Sequence, residues 1–300
     1  MRSVLIIIAA MGTLAASLAG YIHPKHSETN NKFSEVKYGG VSLHVDEPLV
    51  TEIKAETIPA SLSGKPSDLW PEHVAFTLVG YPPHPGLPSG FPQLRVFSIQ
   101  QFRDAIETGF RDYAKSTVFK PRESWTNDFD EEVRVLKALL TAKPKQPAVQ
   151  SFLKRIRHKT DYNKGMPFLP MWEAHQAFVS NVKYVNFRNG KGVFFLTQWD
   201  SETSRIANDG LVYAFQGITS NGRYYVYAEF SVSAPTLPNG HEPDVIAWNE
   251  KNYLLPRQSS DYQEYSRRVV AQLEALRGDE FQPKLELLER LISSIEVQTK

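Results

Sequence analysis

Two Asn-Gly pairs, at residues 189–190 and 221–222, constrain the fold of this chain more than any other feature. Each pair lies between runs in which apolar and polar side chains alternate. An Asn-Gly pair in that setting is the strongest short-range signal for a β-hairpin, because both residues of a type I′ turn need positive φ. Residues 181–233 therefore predict four β-strands in two hairpins, and we expect the rest of the chain to pack around them.

A two-residue turn at 221–222 also determines which side chains of the second hairpin share a face. Pairing steps outward from Thr219 opposite Tyr224, and each step changes face. The apolar face is predicted to point into the core and holds Gly217 with Val226, Phe215 with Ala228, and Tyr213 with Phe230. The other face is mixed and holds Ile218 with Tyr225, Gln216 with Tyr227, and Ala214 with Glu229.

The first hairpin is apolar on both faces. Its loop within residues 189–192 has two or four residues, and the two registers leave the faces unchanged. One face holds Val185, Phe187, Phe194 and Leu196, and the other holds Tyr184, Asn186, Phe195, Thr197 and Trp199. We expect a strand pair of this kind in the centre of a sheet, with helices covering both sides.

The mixed face of the two hairpins is the first candidate for a binding site. Aromatic rings beside amide and carboxylate groups can stack on a sugar or bind a peptide. The residues concerned are Tyr184, Trp199, Gln216, Tyr225, Tyr227 and Glu229. In the alternative interpretation a helix covers the rings, and only their polar tips reach water.

Two further groups of side chains have catalytic or metal-binding chemistry. His241, Glu242 and Asp244 are metal-capable, but side chains this close in sequence rarely converge on one ion, and the second His of an HExxH helix is missing. Glu173 and His175 are two residues apart and would share one face of a strand. They form the candidate acid/base pair of an alternative function, an extracytoplasmic hydrolase with dispersed His and carboxylate residues.

Several functional classes lack their motifs in this sequence. There is no G-x-S-x-G elbow, no Walker loop and no cysteine, which removes disulfides, thiolate metal sites and cysteine nucleophiles. A formal net charge of +1 argues against a nucleic-acid partner, which needs a basic stripe. We expect no cofactor. The expected function is non-catalytic binding of a small molecule or of another envelope protein.

Residues 1–19 predict export from the cytoplasm, to the periplasm or the medium. Arg2 precedes an uncharged apolar run, and Ser17-Leu18-Ala19 places small residues at the positions that a signal peptidase needs. The uncharged run over residues 4–22 is also long enough for an uncleaved membrane anchor, so both interpretations remain open. Residues 20–32 are polar and predict a flexible tether.

Residues 33–297 predict one α+β domain, a largely antiparallel twisted sheet with helices packed over it. Further strands are predicted at 35–45, 51–58, 73–79 and 94–99. Helices are predicted at 100–115, 131–142 and 147–158, then from Ser260 as the cap and from about Pro283. Residues 100–160 are alternatively an inserted helical lobe, and residues from Asp244 to the Ser260 cap predict irregular structure.

Several blocks around the hairpins, together with the terminal helix, resemble a group of bacterial exported proteins and lipoproteins of uncharacterised function. The blocks are Leu-Pro at 169–170, Tyr-Val-Asn-Phe-Arg-Asn-Gly at 184–190, Leu-Thr-Gln at 196–198, Tyr-Ala-Phe-Gln-Gly-Ile-Thr at 213–219, Gly-Arg-Tyr-Tyr-Val at 222–226, and the apolar stretch 288–297. The resemblance covers somewhat under half of the chain and implies export, but it assigns no functional residue. Many lipoproteins of the group have a cysteine where this chain has Gly20. The sheet with its terminal Leu-rich helix also resembles the PsbP/Mog1 α/β/α arrangement, an analogy of fold alone.

Overall fold

A computed structural model of the chain describes residues 33–46, 49–63, 68–81, 93–116, 125–158, 165–169, 174–257 and 259–298. The predicted export segment at 1–19, the predicted tether at 20–32 and Glu173 lie outside these residues. Within them, the strands are β1 Phe33–Tyr38, β2 Val41–Asp46, β3 Glu52–Ile58, β4 His73–Val79, β5 Leu94–Ser98, β6 His175–Gln176, β7 Ser180–Phe187, β8 Gly190–Thr197, β9 Trp199–Asp200, β10 Val212–Thr219, β11 Tyr224–Ser231 and β12 Glu296–Val297. The α-helices are α1 Ile99–Ser116, α2 Trp125–Ala142, α3 Ala148–Ile156, α4 Pro243–Asn252, α5 Ser260–Ala275 and α6 Leu285–Ser293.

The two predicted hairpins lie in one seven-stranded sheet with the order β3-β4-β5-β11-β10-β8-β7. Every strand pair in the described part of the chain is antiparallel. β1, β2 and β12 form a second, three-stranded sheet, and β6 pairs with β9. These sheets and the helices together confirm the predicted α+β fold with a largely antiparallel sheet.

The second hairpin, β10–β11, occupies the middle of the large sheet, whereas the first hairpin ends it. β8 is internal, but β7 is an edge strand. The prediction that the whole first hairpin is central is therefore wrong for β7. Lys183 and Asn186 of β7 are exposed, and polar side chains of this kind are typical of a sheet edge.

The register of the second hairpin is confirmed, but its turn is of another type. Gln216 lies opposite Tyr227, as predicted. Only Gly222 has positive φ, at +72°, whereas Asn221 does not, so the loop is not a type I′ turn. Instead, the Asn221 side-chain oxygen accepts hydrogen bonds from the Thr219 hydroxyl at 2.7 Å and from the Arg223 amide at 3.0 Å. These two side-chain hydrogen bonds close the loop, so a second residue with positive φ is not needed.

The loop of the first hairpin lies one residue earlier than predicted. Phe187 pairs with Gly190, so the two-residue loop is 188–189. The side chain of Asn189 is used elsewhere, because it exchanges two hydrogen bonds with the backbone of Val297 in β12. The predicted faces still hold, since the observed and predicted registers differ by an even step.

The two faces of the large sheet carry two separate cores. The predicted apolar face, with Phe215 and Phe230, packs against α5, α6 and the three-stranded sheet. The predicted mixed face, with Tyr225 and Tyr227, packs against α1, α2 and α3. The helices at 100–160 therefore share their core with the sheet.

Three glycines of β8 and β10 allow two large rings to lie flat on the sheet. A Cβ atom at Gly190 would lie 2.0 Å from Phe187, and one at Gly192 would lie 2.2 Å from Phe215. Gly217, opposite Gly192, would contact both rings at under 3.0 Å. The absence of side chains at these positions is thus what lets Phe187 and Phe215 fill the core above the strands.

Helix boundaries differ from the predictions in three places. α4 occupies residues 243–252, where irregular structure was predicted. The prediction failed because this helix buries only Val245 and so has no apolar stripe in its sequence. α2 begins at Trp125, six residues before the predicted start. The N-cap of α5 is Ser259 rather than Ser260, since the Ser259 hydroxyl accepts the Tyr262 amide.

Candidate functional site

The predicted mixed face is covered by helices and is not an open platform. Tyr225 and Gln216 are completely buried, and Tyr227 is 1% exposed. Phe97 stacks on Tyr225 at 6.1 Å between ring centroids, and Phe168 meets Tyr227 edge-on at 5.3 Å. Helices cover the rings, as in the alternative interpretation, but the polar tips of Tyr225 and Gln216 are buried as well and do not reach water. Ligand binding by these residues stays a prediction that requires the helices to move.

Four residues at the base of the second hairpin form a unit that we call the buried acid cluster: Arg95, Trp199, Tyr227 and Glu229. The Glu229 carboxylate accepts a hydrogen bond from the Trp199 indole N–H and lies beside the Tyr227 hydroxyl. Burial raises the pKa of Glu229, and the neighbouring tyrosine, indole and Arg95 charge oppose that rise. The Arg95 guanidinium is 4% exposed and also stacks over the Trp70 ring at 5.3 Å.

The remaining candidates on this face are used in structural hydrogen bonds. The Tyr225 hydroxyl donates to the Gln216 side-chain oxygen at 3.0 Å. The Tyr184 hydroxyl donates to the Pro144 carbonyl oxygen at 3.1 Å, and burial raises the Tyr184 pKa to about 12. The structure thus brings Trp199, Tyr227 and Glu229 together but anchors Tyr184 separately, at the connection between α2 and α3.

Within the described part of the chain, neither candidate histidine forms an acid/base pair of the kind that a hydrolase needs. His175 is exposed and lies opposite Asp200 in the β6–β9 pair, and His241 is exposed on the loop before α4. Neither ring has a hydrogen bond to a Ser, Asp or Glu side chain among the described residues. Glu173, the predicted partner of His175, lies outside the described ranges.

The three metal-capable residues near α4 do not converge. Glu242 accepts hydrogen bonds from Asn239, and Asp244 forms an ion pair with Arg205 at 2.6 Å. Over residues 33–298, excluding the undescribed gaps, no group of three His, Asp or Glu side chains is placed to hold a metal ion. Each carboxylate of the predicted set is satisfied by a nitrogen group of the protein instead.

An open groove lies at the turn end of the same hairpin. A groove of about 670 Å³ runs between the last turns of α2 and the two hairpin loops. We call it the cationic groove, and its polar lining residues include Lys137, Thr141, Arg188, Lys191, Thr219 and Ser220. None of the described residues that line it is an Asp or a Glu, so three cations line the groove without a carboxylate among them.

The cations of the groove have few internal partners. Lys191 Nζ lies 3.4 Å from the Thr141 hydroxyl, and neither Lys137 nor Lys191 forms an ion pair with a carboxylate in the described part of the chain. Arg188 contacts Glu296 at 3.4 Å and the His44 ring nitrogen Nε2 at 3.1 Å. Both lysines are therefore available to a ligand, and Arg188 holds its carboxylate at the surface.

The local fold places these charges near one another. Lys137 and Thr141 are one helical turn apart on α2, and Lys137 Nζ lies 3.7 Å from the position of a Cβ on Gly222. The C-terminal end of α2 carries a partial negative charge of about half a unit, but no lysine lies in the last turn, where that charge acts. That partial charge offsets only part of the three formal positive charges, so the groove stays attractive to an anion.

Sequence reasoning missed the groove because its charged residues, Lys137, Arg188 and Lys191, form no motif and come from separate parts of the chain. One signal was present: two hairpins that share a sheet with antiparallel neighbours bring their loops to the same end. That signal places Arg188 and Lys191 near Ser220. It does not place Lys137, whose position depends on how α2 packs on the sheet.

Comparison of the chain with protein-family models, with curated proteins and with solved structures gives no match. Among the described helices, none has both the length and the apolar character that crossing a bilayer requires. The geometry of the groove is therefore the feature of this protein that bears on its function.

Proposed function

We propose that this protein is a non-catalytic binding protein whose cationic groove takes a small anionic molecule. The main support for this proposal is the groove itself. It has a volume of about 670 Å³, is lined by Lys137, Arg188 and Lys191, and has no carboxylate among its described lining residues. That volume lies within the range of small-molecule sites, roughly 300–1,000 Å³. The histidines that a hydrolase would use lie outside it.

The test is calorimetric titration of the full chain with malate, a small dianion, at low and high salt. We expect saturable binding that weakens as salt rises, because the attraction is between partly exposed charges. The double variant Lys137→Gln/Lys191→Gln should lose at least roughly tenfold in affinity, as two charge-assisted hydrogen bonds are removed. Lys251→Gln/Lys284→Gln, which removes two exposed lysines outside the groove, is the charge-matched control and should bind as the wild type does.

A different result would refute the proposal. Equal affinities of Lys137→Gln/Lys191→Gln and of Lys251→Gln/Lys284→Gln would mean that the groove lysines have no specific role in binding malate. An absence of heat with malate and with any other anion would remove the function altogether.

The location of the protein is a second part of the proposal. The apolar run after Arg2 and the small residues at 17–19 support export, by a cleaved signal peptide or an uncleaved anchor. N-terminal sequencing of the protein recovered from the cell envelope distinguishes the two. A chain that begins near residue 20 supports cleavage, one that begins at Met1 in the membrane fraction supports an anchor, and one found only in the cytosol contradicts export.

A further inference from the structure

The donors of the cationic groove match one class of anion better than another. A carboxylate has two coplanar oxygens, and one arginine fork satisfies both. A phosphate has three terminal oxygens that point in different directions and needs donors from several sides. The groove offers a guanidinium at Arg188, ammonium groups at Lys137 and Lys191, and a hydroxyl at Ser220, and these come from three separate elements of the fold.

The size of the groove indicates what the phosphate is attached to. A volume of about 670 Å³ is far larger than a free inorganic phosphate requires. Apolar side chains, Leu140 and Ile218 among them, line part of the same groove. The groove therefore has room for a phosphate group joined to a small organic body, to which Leu140 and Ile218 expose only 1% and 5% of their surface.

Arg188 is the residue that has to change partners. Its ion pair with Glu296 is long, at 3.4 Å, and both side chains are close to half exposed, at 48% and 46%. Exposed pairs of this kind are weak and easily exchanged. A phosphate in the groove offers Arg188 two negative charges and a bidentate partner, so it outcompetes the single carboxylate of Glu296.

Resting on the proposed function, we infer that the ligand of the cationic groove is a phosphomonoester. Arg188 binds its phosphate dianion by giving up Glu296, while Lys137 and Lys191 neutralise the remaining charge. Glu296 thus acts as an internal competitor that occupies Arg188 until a ligand arrives.

The test compares glycerol 1-phosphate with malate, two dianions of similar size, by calorimetric titration of the full chain. We expect glycerol 1-phosphate to bind roughly tenfold tighter or more, because only the phosphate uses donors on every side. Equal affinity for the two would overturn the phosphate inference while leaving anion binding in place. If neither ligand binds, the proposed function itself fails, so the two failures are distinguishable.

Two variants test whether Arg188 exchanges Glu296 for the phosphate. Glu296→Gln removes the carboxylate partner of Arg188 and leaves its contact with His44. The change should tighten binding of glycerol 1-phosphate roughly two- to fivefold, which is the range that an exposed ion pair represents. Glu250→Gln, a charge-matched change on α4, should leave the affinity unchanged. An unchanged or weaker affinity of Glu296→Gln would show that Glu296 does not compete.

Arg188→Lys separates the shape of the guanidinium from its charge. The lysine keeps the positive charge but loses the bidentate fork, so we expect weaker binding of glycerol 1-phosphate and little change with malate. A loss of equal size for both ligands would contradict a phosphate-specific role of Arg188.

The phosphomonoester belongs either to a soluble molecule or to a lipid headgroup, and vesicles distinguish these sources. Co-sedimentation is measured with phosphatidylcholine vesicles that contain or lack phosphatidic acid, whose headgroup is a phosphomonoester. Sedimentation only with phosphatidic acid, lost in Lys137→Gln/Lys191→Gln, identifies a lipid source. Binding of glycerol 1-phosphate without sedimentation identifies a soluble one.

Discussion

The two ends of the β10–β11 hairpin hold ionisable groups in opposite environments. At the base, Arg95 and Glu229 are 4% and 6% exposed and are surrounded by aromatic rings. At the turn, roughly 17 Å away along the strands, Lys137 and Lys191 line an open groove without a carboxylate partner. The comparison shows that charge alone does not mark a binding site: the buried acid cluster satisfies its charges internally, and the cationic groove leaves two of its three cations to a ligand.

Replacing Glu229 should give the largest loss of stability. Glu229→Ala leaves the Trp199 N–H without its acceptor and removes a carboxylate that interacts electrostatically with Arg95, inside the core. We expect the free energy of unfolding to fall by about 3–5 kcal/mol, because a buried donor is left unsatisfied and a buried charge is less compensated. Denaturant titration followed by Trp fluorescence measures it.

Glu229→Gln is the companion variant, since it keeps an acceptor for Trp199 and should cost less than Glu229→Ala. Both variants should bind malate as the wild type does while they remain folded. A binding defect in folded Glu229→Gln would break the comparison, because it would place the buried acid cluster within the binding function.

Lowering the pH should destabilise the region beside the buried acid cluster. His73 is buried, its ring stacks on Phe97 at 4.3 Å, and its Nδ1–H donates to the Pro71 carbonyl oxygen at 2.8 Å. Burial lowers the His73 pKa from 6.5 to about 4, and the Arg95 charge adds to the effect. Between these pH values the unfolded chain binds the proton and the native protein does not.

The stability contributed by neutral His73 is therefore fully present above pH 6.5 and is lost as the pH falls towards 4. The full loss amounts to about 3 kcal/mol. It is measured as the difference in pH dependence between the wild type and His73→Phe, which has no proton to bind. Parallel curves for the two proteins would show that His73 does not titrate in this way.

A change in the turn beside the groove should have an intermediate effect. Gly222 has φ of +72°, which a β-branched side chain tolerates poorly, so Gly222→Val should reduce the free energy of unfolding by about 1–2 kcal/mol. Gly222→Asn is the control, because asparagine adopts positive φ more readily. Thermal unfolding compares them, and equal melting temperatures for Gly222→Val and the wild type would contradict the turn geometry.

The smallest effect on stability is expected in the groove itself. Lys137 is exposed, Lys191 is half-buried, and neither has a carboxylate partner among the described residues, so Lys137→Gln and Lys191→Gln should each change the free energy of unfolding by less than about 0.5 kcal/mol. The groove would then depend on these lysines for binding and the fold would not. Marked destabilisation of either variant would show instead that the lysine has a structural role, for example at the C-terminal end of α2.

Local patterns predicted much of the sheet because they act between neighbouring residues. The alternation around residues 213–230 determined the partners of β10 and β11, including Gln216 opposite Tyr227. The same reasoning misplaced the first turn, where the Asn189 side chain bonds to Val297, a residue distant in sequence. It also missed α4, since a helix that buries only Val245 has no apolar stripe.

The sequence by itself determined the α+β class, the register of the second hairpin and the membership of its two faces, since a period of two or 3.6 residues is a local property. Tertiary structure alone decided which face stays closed and which end stays open. Helices α1, α2 and α3 cover Tyr225 and Tyr227, and the packing of α2 brings Lys137 to the loops that carry Arg188 and Lys191. Burial and the convergence of charges depend on contacts between residues far apart in the chain, and no local pattern encodes them.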